Sequence, residues 1–137
     1  MSANDIISDL SYLDKGKQYL KTLSENRYPF KTPKSFDEKE SVIFSKIIDI
    51  KSNSMRFRLD CILKGMGVYK NADHAAMTSA LNALTQVINE NKKVREFKAL
   101  EDDLIIIDNL KGLHARQPFS DQNRHYIRAR VTKNGNS

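Results

Sequence analysis

The sequence predicts a single α+β domain over residues 1–137, mostly β with α. Three patterns lead to this fold class. Residues 54–60 alternate apolar and polar side chains, as a half-buried strand does, and residues 104–107 form a continuous apolar run rich in β-branched residues. Between them, apolar residues recur every three or four positions over residues 74–91, which predicts one long amphipathic helix.

The N-terminal segment, residues 1–25, is predicted to be a helical lead-in, because its leucines and isoleucines follow a helical spacing. Gly16 should divide this segment into two short helices. An extended connection follows over residues 26–37, where Pro29 and Pro33 each bias the preceding residue away from helix.

A β-hairpin is predicted next. Residues 41–50 are rich in β-branched side chains and predict a strand, which the polar turn at residues 51–53 joins to the alternating segment 54–60. One face of that segment carries Met55, Phe57 and Leu59, and the other carries Arg56, Arg58 and Asp60. The two arginines are therefore expected on a solvated hairpin face.

The elements around the long helix follow from glycines and apolar runs. Gly65 and Gly67 predict a loop before the helix. Three further strands are predicted after it, at residues 97–100, 104–107 and 125–131. The strand at residues 104–107 should be buried on both faces, and the polar tail at residues 132–137 should be loose.

Composition limits the possible settings and partners. The net charge is +6, but acidic residues are interspersed among most of the basic ones, and only residues 124–133 form a dense basic stretch, so a nucleic-acid partner is not expected. No apolar window reaches the length of a membrane span, and the N-terminus does not resemble a signal peptide. With Cys61 as the one cysteine, expected to be a small buried apolar residue, these features favour a cytoplasmic protein.

The segment with the most chemical information follows the predicted strand at residues 104–107. Asp108 and Asn109 end that strand, and His114 comes five residues later, where a neutral imidazole can be presented to a metal. Arg124 and Arg128 fall on one face of the predicted last strand, so both can point into one cavity. An arginine side chain grips a carboxylate with two parallel hydrogen bonds.

This segment resembles the end of the clavaminate synthase-like family, also called the taurine and 2,4-D (TauD/TfdA) dioxygenase family. Members close with a pattern like D-N-x-x-x-x-H-[GA]-R-x-P-F and then a strand bearing R-x-x-x-R. The matching residues here are Asp108, Asn109, His114, Ala115, Arg116, Pro118, Phe119, Arg124 and Arg128. The branch that hydroxylates amino acids looks most similar, because its members also place an amphipathic helix before the last strands.

The resemblance implies a partial double-stranded β-helix (jelly roll), with the long helix packed outside. It implies an Fe(II)- and 2-oxoglutarate-dependent hydroxylase acting on an amino acid or related small molecule. His114 would be the second histidine of the 2-His-1-carboxylate iron site and the catalytic residue. Arg124 and Arg128 would bind the 2-oxoglutarate cosubstrate, and Asp108, Asn109 and Arg116 would support the loop that carries His114.

The sequence departs from the family at the other two iron ligands, which lie in an upstream H-x-[DE] motif. None of the three histidines, His74, His114 and His125, is followed two residues later by Asp or Glu. The chain is therefore expected to be a fragment or subunit, the C-terminal half of the enzyme, that is inactive without a partner supplying H-x-[DE]. A second polypeptide or a homodimer should cover the open jelly-roll face.

Three hypotheses follow from these observations. The chain is one subunit or fragment of a split dioxygenase, or it is a non-catalytic remnant of the family that acts as a binding or dimerisation module. The third hypothesis, a basic nucleic-acid-binding module, rests on net charge alone.

Overall fold

The computed structural model describes residues 1–32, 41–100 and 102–115. Helices and short antiparallel strands are mixed along this part of the chain. In order they are α1 (Ala3–Ser11), α2 (Gly16–Glu25), β1 (Tyr28–Lys31), β2 (Val42–Ser45), β3 (Ile48–Asp49), β4 (Ser54–Met55), α3 (Leu59–Val68) and α4 (His74–Glu90).

The helical lead-in is confirmed, with its division just before Gly16. Ser2 begins α1 as a capping residue, because its hydroxyl accepts a hydrogen bond from the Asp5 amide at 3.1 Å. At Gly16, a Cβ atom would collide with the backbone of Leu10 and Ser11 at the end of α1. The glycine therefore lets α2 start directly against the last turn of α1.

Two separate antiparallel pairs replace the single long hairpin expected from the sequence. β2 pairs with β1, with Phe44 opposite Pro29, whereas β3 pairs with β4 around the predicted polar turn. The predicted strand at residues 41–50 is thus interrupted at Lys46 and Ile47. The interruption has a tertiary cause, because the Ile47 amide donates to the Leu23 carbonyl of α2 at 3.2 Å.

The loop predicted at Gly65 and Gly67 is wrong, because both glycines lie in α3. The strand predicted for residues 54–60 is also too long, since only Ser54–Met55 pairs and α3 begins at Leu59. The buried residues of α3 lie at helical spacing: Cys61, Ile62, Gly65 and Met66. Glycine is accepted inside this helix because α3 packs closely on β1 there.

The long amphipathic helix is confirmed as α4, His74–Glu90, and it organises the core. It contacts both α1 and α2, while α3 lies against β1. The apolar stripe predicted for α4 is buried except for Ile88, which is partly buried; the buried members are Met77, Ala80, Leu81, Leu84 and Val87. The core they join also contains Ile6, Leu10, Leu23, Tyr28, Ile48 and Ile62. Cys61 is buried in the same core, as expected.

The strands predicted at residues 97–100 and 104–107 are not formed by the residues that the structure describes. Leu104 and Ile106 are 85% and 86% exposed, and Ile105 and Ile107 are each 43% exposed, so the expected burial on both faces is also wrong. A β-strand forms only where its backbone can hydrogen-bond to the backbone of a neighbouring strand. No main-chain hydrogen bond joins residues 104–107 to another described residue.

The α+β class is therefore confirmed, with the proportions reversed: helices outweigh strands in the described residues. A jelly roll is not shown, because the strands seen form two separate two-stranded sheets. The predicted strand at residues 125–131 and the predicted tail at residues 132–137 lie outside the described residues.

Candidate functional site

His114 lies at the end of a segment that is held in place through its backbone. The Leu113 amide donates to the Met1 carbonyl at 3.0 Å, and Gly112 forms an isolated antiparallel bridge with Ser2. The Ala3 amide also donates to the Lys111 carbonyl at 2.8 Å. His114 itself is exposed, so its imidazole follows directly on an anchored backbone and faces solvent.

Asp108 shapes the turn that leads to this anchored segment. Its carboxylate accepts hydrogen bonds from the amides of Leu110 at 2.9 Å and Lys111 at 3.2 Å, while its carbonyl accepts from Gly112 at 3.0 Å. The Leu110 carbonyl then accepts from the Met55 amide of β4 at 2.7 Å. The turn therefore ties the segment before His114 to β4 as well as to α1.

The residues that the structure describes do not make a complete iron site. Within the described parts of the chain, no three side chains of His, Cys, Asp or Glu come together as a metal site. Across the whole sequence no histidine begins an H-x-[DE] motif. A facial iron site needs two histidines and a carboxylate.

The other predicted site residues are distributed as follows. Arg124, Arg128 and Arg116 lie outside the described residues. Arg56 and Arg58 are exposed, and Arg58 Nε lies 3.3 Å from an Asp60 carboxylate oxygen, also at the surface. Their predicted exposure is confirmed, but the hairpin strand expected to carry them is not formed, because Arg58 is the capping residue of α3.

A shallow cleft of about 160 Å³ lies where α3 ends and α4 begins, beside β1 and β2. No pattern in the sequence predicts this cleft. The lining residues are Arg27, Pro29, Phe44, Met66, Tyr69, Lys70, Asn71, His74 and Met77. The one signal for it in the sequence is that a basic and an aromatic residue are neighbours at two places, Arg27-Tyr28 and Tyr69-Lys70.

The cleft and His114 lie toward opposite ends of α4. The cleft is built around His74 and Met77 in the first turn of that helix. At the other end, Asn91 donates to Asp9 at 2.8 Å, and Lys93 donates to Asp5 at 3.0 Å in the first turn of α1. His114 follows a segment joined to the start of α1, whereas the cleft is lined by the first turn of α4, so the two places are built from different segments.

Two groups have pKa values changed mainly by burial. The Tyr28 hydroxyl is fully buried and donates to the Met77 carbonyl at 3.2 Å, and burial raises its pKa far above the ordinary value. Burial also raises the pKa of the Cys61 thiol, with a further increase from the neighbouring Asp60 charge. Neither group is activated, because each is held in its neutral form.

A comparison with protein families finds a match over most of the chain. The sequence model of the family described as "Taurine catabolism dioxygenase TauD, TfdA family" matches residues 13–130. No curated protein and no solved structure matches the chain. Among the described helices, none is both long enough and apolar enough to cross a membrane.

Proposed function

The chain belongs to the TauD/TfdA family of dioxygenases, and we propose that it is a fragment or subunit of an Fe(II)- and 2-oxoglutarate-dependent hydroxylase, with His114 as one iron ligand. The single observation that carries the proposal is the family match, which spans His114, Arg124 and Arg128. Enzymes of this family generally depend on Fe(II) and 2-oxoglutarate. The chain would supply one iron ligand, His114, and the two arginines that bind the cosubstrate, Arg124 and Arg128.

The anchored backbone around His114 supports this role. A metal ligand must be held near its productive position by its neighbours. The hydrogen bonds from Ala3 of α1 to Lys111 and from Met55 of β4 to Leu110 hold the segment before His114 on two different elements, while the imidazole stays accessible. An accessible histidine on a fixed backbone suits a site that other residues complete.

We propose further that the missing H-x-[DE] ligands come from residues outside this sequence, on a second polypeptide. The apolar run at residues 104–107 supports this, because it is exposed and lies only a few residues before His114. Its main chain has no hydrogen-bond partner among the described residues, so an added strand could pair with it. Such a strand would be brought close to His114.

Charge favours a different polypeptide over a second copy. If two copies of the run paired antiparallel about its centre, Asp103 of each copy would lie opposite Asp108 of the other. Like charges directly opposite each other destabilise a strand pair. A strand with an apolar centre and basic residues at both ends would instead be attracted by these two carboxylates.

An amino acid or a related small molecule is the proposed substrate class, and this rests on the similarity to the amino-acid hydroxylase branch. The non-catalytic remnant remains the second candidate function. It is favoured by the lack of an H-x-[DE] motif and of a three-residue metal cluster in the described parts of the chain.

The test is anaerobic calorimetry of Fe(II) and 2-oxoglutarate binding, on the chain alone and with a co-expressed polypeptide that carries H-x-[DE]. We expect binding only in the mixture, and its loss in both His114→Ala and Arg124→Ala. Lys64→Ala is the control, since it removes an exposed cation of α3 that lies neither in the cleft nor in the segment before His114, and it should bind normally. Failure to bind in either setting would leave the non-catalytic remnant.

The partner surface has its own test. Ile106→Asp places a charge in the middle of the exposed run without disturbing the core, and it should abolish association with the co-expressed polypeptide in size-exclusion chromatography. Leu63→Asp changes another exposed apolar residue, on α3, and serves as the control. Equal loss of association in both variants, or no loss in either, would contradict docking at residues 104–107.

A further inference from the structure

The cleft between α3, α4 and the β1–β2 pair has a consistent chemical character. Its lining includes the cationic side chains of Arg27 and Lys70 and the imidazole of His74, and no acidic residue among the described parts of the chain lines it. No described carboxylate forms a salt bridge with Arg27 or Lys70. The positive charge of the cleft is therefore not neutralised by these carboxylates, and an anion would be attracted to it.

The rest of the lining is aromatic and apolar. The rings of Phe44 and Tyr69 lie edge to face, with centroids 5.4 Å apart and planes inclined by 82°. Both rings are about half exposed, at 47% and 46%, so part of each ring remains available for contact. Met66 and Met77 are buried beneath them and provide an adaptable apolar floor.

The frame of the cleft is set by the packing of the fold. Gly65 lets α3 lie against Pro29 of β1, and α3 ends one turn later at its capping residue Tyr69. On the sheet, Pro29 is paired with Phe44, which faces Tyr69. The two aromatic rings are therefore positioned by backbone contacts of the core, and a ligand would meet a site that is already formed.

We propose that this cleft binds a small organic carboxylate with an aromatic or apolar body. Arg27 and Lys70 would hold the carboxylate, and Phe44 and Tyr69 would contact the body. The volume of about 160 Å³ lies below the range of pockets for drug-sized ligands, which limits the occupant to a small acid. His114 does not line the cleft, so the proposal does not depend on the proposed iron site.

The proposal is tested by NMR titration of the ¹⁵N-labelled full chain with benzoate, acetate, inorganic phosphate and benzyl alcohol. We expect saturable shifts of the Tyr69, Lys70 and His74 amides with benzoate. Acetate and phosphate lack the apolar body, and benzyl alcohol lacks the charge, so each should bind at least about tenfold more weakly. Phosphate binding as tight as that of benzoate would overturn the assignment of an organic carboxylate.

Two variants test whether benzoate binds in the cleft. Arg27→Ala should weaken benzoate binding about tenfold, because it removes a charge-assisted hydrogen bond. Lys64→Ala removes an exposed cation of α3 that does not line the cleft, and it should change nothing. Preserved amide dispersion in each spectrum shows that the variant is folded. Benzoate shifts that never saturate, or that persist unchanged in Arg27→Ala, would overturn the proposal.

The cleft and the iron site can fail independently. His114→Ala should leave benzoate binding intact, whereas it should abolish Fe(II) binding in the mixture with the H-x-[DE] polypeptide. If His114→Ala weakened benzoate binding as much as Arg27→Ala does, the two sites would not be separate and the inference would be wrong.

Discussion

Gly65 of α3 lies against Pro29 of β1 so closely that a Cβ atom on Gly65 would collide with the Pro29 carbonyl group. The contact holds α3 on the sheet, and it also brings Tyr69 next to Phe44 at the cleft. A helix that contains glycine is intrinsically weak. Here the loss of helix propensity is offset by a close approach that no other residue permits.

Gly65→Ala should therefore destabilise the protein. The added methyl group meets backbone, which cannot move aside as a flexible side chain can, and overpacking of this kind costs about 1–3 kcal/mol. The midpoint of urea unfolding, followed by circular dichroism, should fall. Gly67→Ala is the matched control in the same helix, where a Cβ atom meets nothing within 4 Å, and it should be neutral or stabilise by up to about 1 kcal/mol. Equal destabilisation by both variants would show that helix geometry, and not the contact with Pro29, is responsible.

Tyr28→Phe should lower stability at neutral pH and remove a pH dependence at high pH. The variant loses the hydrogen bond to the Met77 carbonyl, which contributes about 1 kcal/mol. In the native protein burial raises the pKa of the Tyr28 hydroxyl above its ordinary value of about 10, so the folded state keeps the proton longer than the unfolded state does. The free energy of unfolding should thus decrease as pH rises above about 10.

The measurement is urea unfolding at several pH values from neutral to alkaline. Lysines also titrate in this range, so the informative quantity is the difference between the native protein and Tyr28→Phe. That difference should shrink as pH rises. Tyr12→Phe, at an exposed position, is the control and should follow the native curve. A constant difference across all pH values would contradict the assigned pKa shift.

Asp108→Ala should loosen the segment that carries His114. The carboxylate of Asp108 accepts hydrogen bonds from two backbone amides. Loss of these bonds should lower the local stability of the segment by about 1 kcal/mol, which corresponds to about fivefold faster amide exchange. Hydrogen exchange of the Leu113, Ala3 and Met55 amides reports this directly, since all three amides bond across the anchored segment. Asp108→Asn keeps an acceptor oxygen in the same place and should restore most of the protection. If Asn behaves like Ala, the turn is not held by the side-chain acceptor.

Asn91→Ala should weaken the joint between α4 and α1. Asn91 donates to Asp9 at 2.8 Å and accepts from the Lys93 amide at 2.8 Å, so two hydrogen bonds are lost at a cost of about 1–2 kcal/mol. Thermal unfolding should show a lower midpoint. Asn82→Ala, on the exposed face of the same helix, should be neutral or slightly stabilising because alanine is the better helix former. A midpoint unchanged in Asn91→Ala would show that this joint contributes nothing to stability.

Several elements of the fold could be predicted from local patterns. α1, α2 and α4 are where the apolar spacing places them, and the turn at residues 51–53 joins an antiparallel pair as expected. These features depend on interactions between neighbours in the sequence: a helical apolar stripe, a capping serine and a glycine between two helices.

The errors fall where a distant segment decides the outcome. Gly65 and Gly67 predict a loop, yet both lie in α3, where the contact of Gly65 with Pro29 makes a glycine necessary. The predicted strand at residues 41–50 is split because Leu23 takes the amide of Ile47. The run at residues 104–107 has the composition of a buried strand, but it is exposed and has no paired neighbour among the described residues.

The candidate sites divide in the same way. By itself the sequence determined the chemistry that is available: His114 in its motif, the two arginines of the predicted last strand, and the lack of an H-x-[DE] motif. Only the tertiary structure decided that the backbone before His114 is tied to α1 and β4, and that Arg27, Phe44, Lys70 and His74 line one cleft. Motifs depend on short spacings along the chain, whereas a cleft depends on packing between segments far apart in the sequence, which periodicity and composition do not encode.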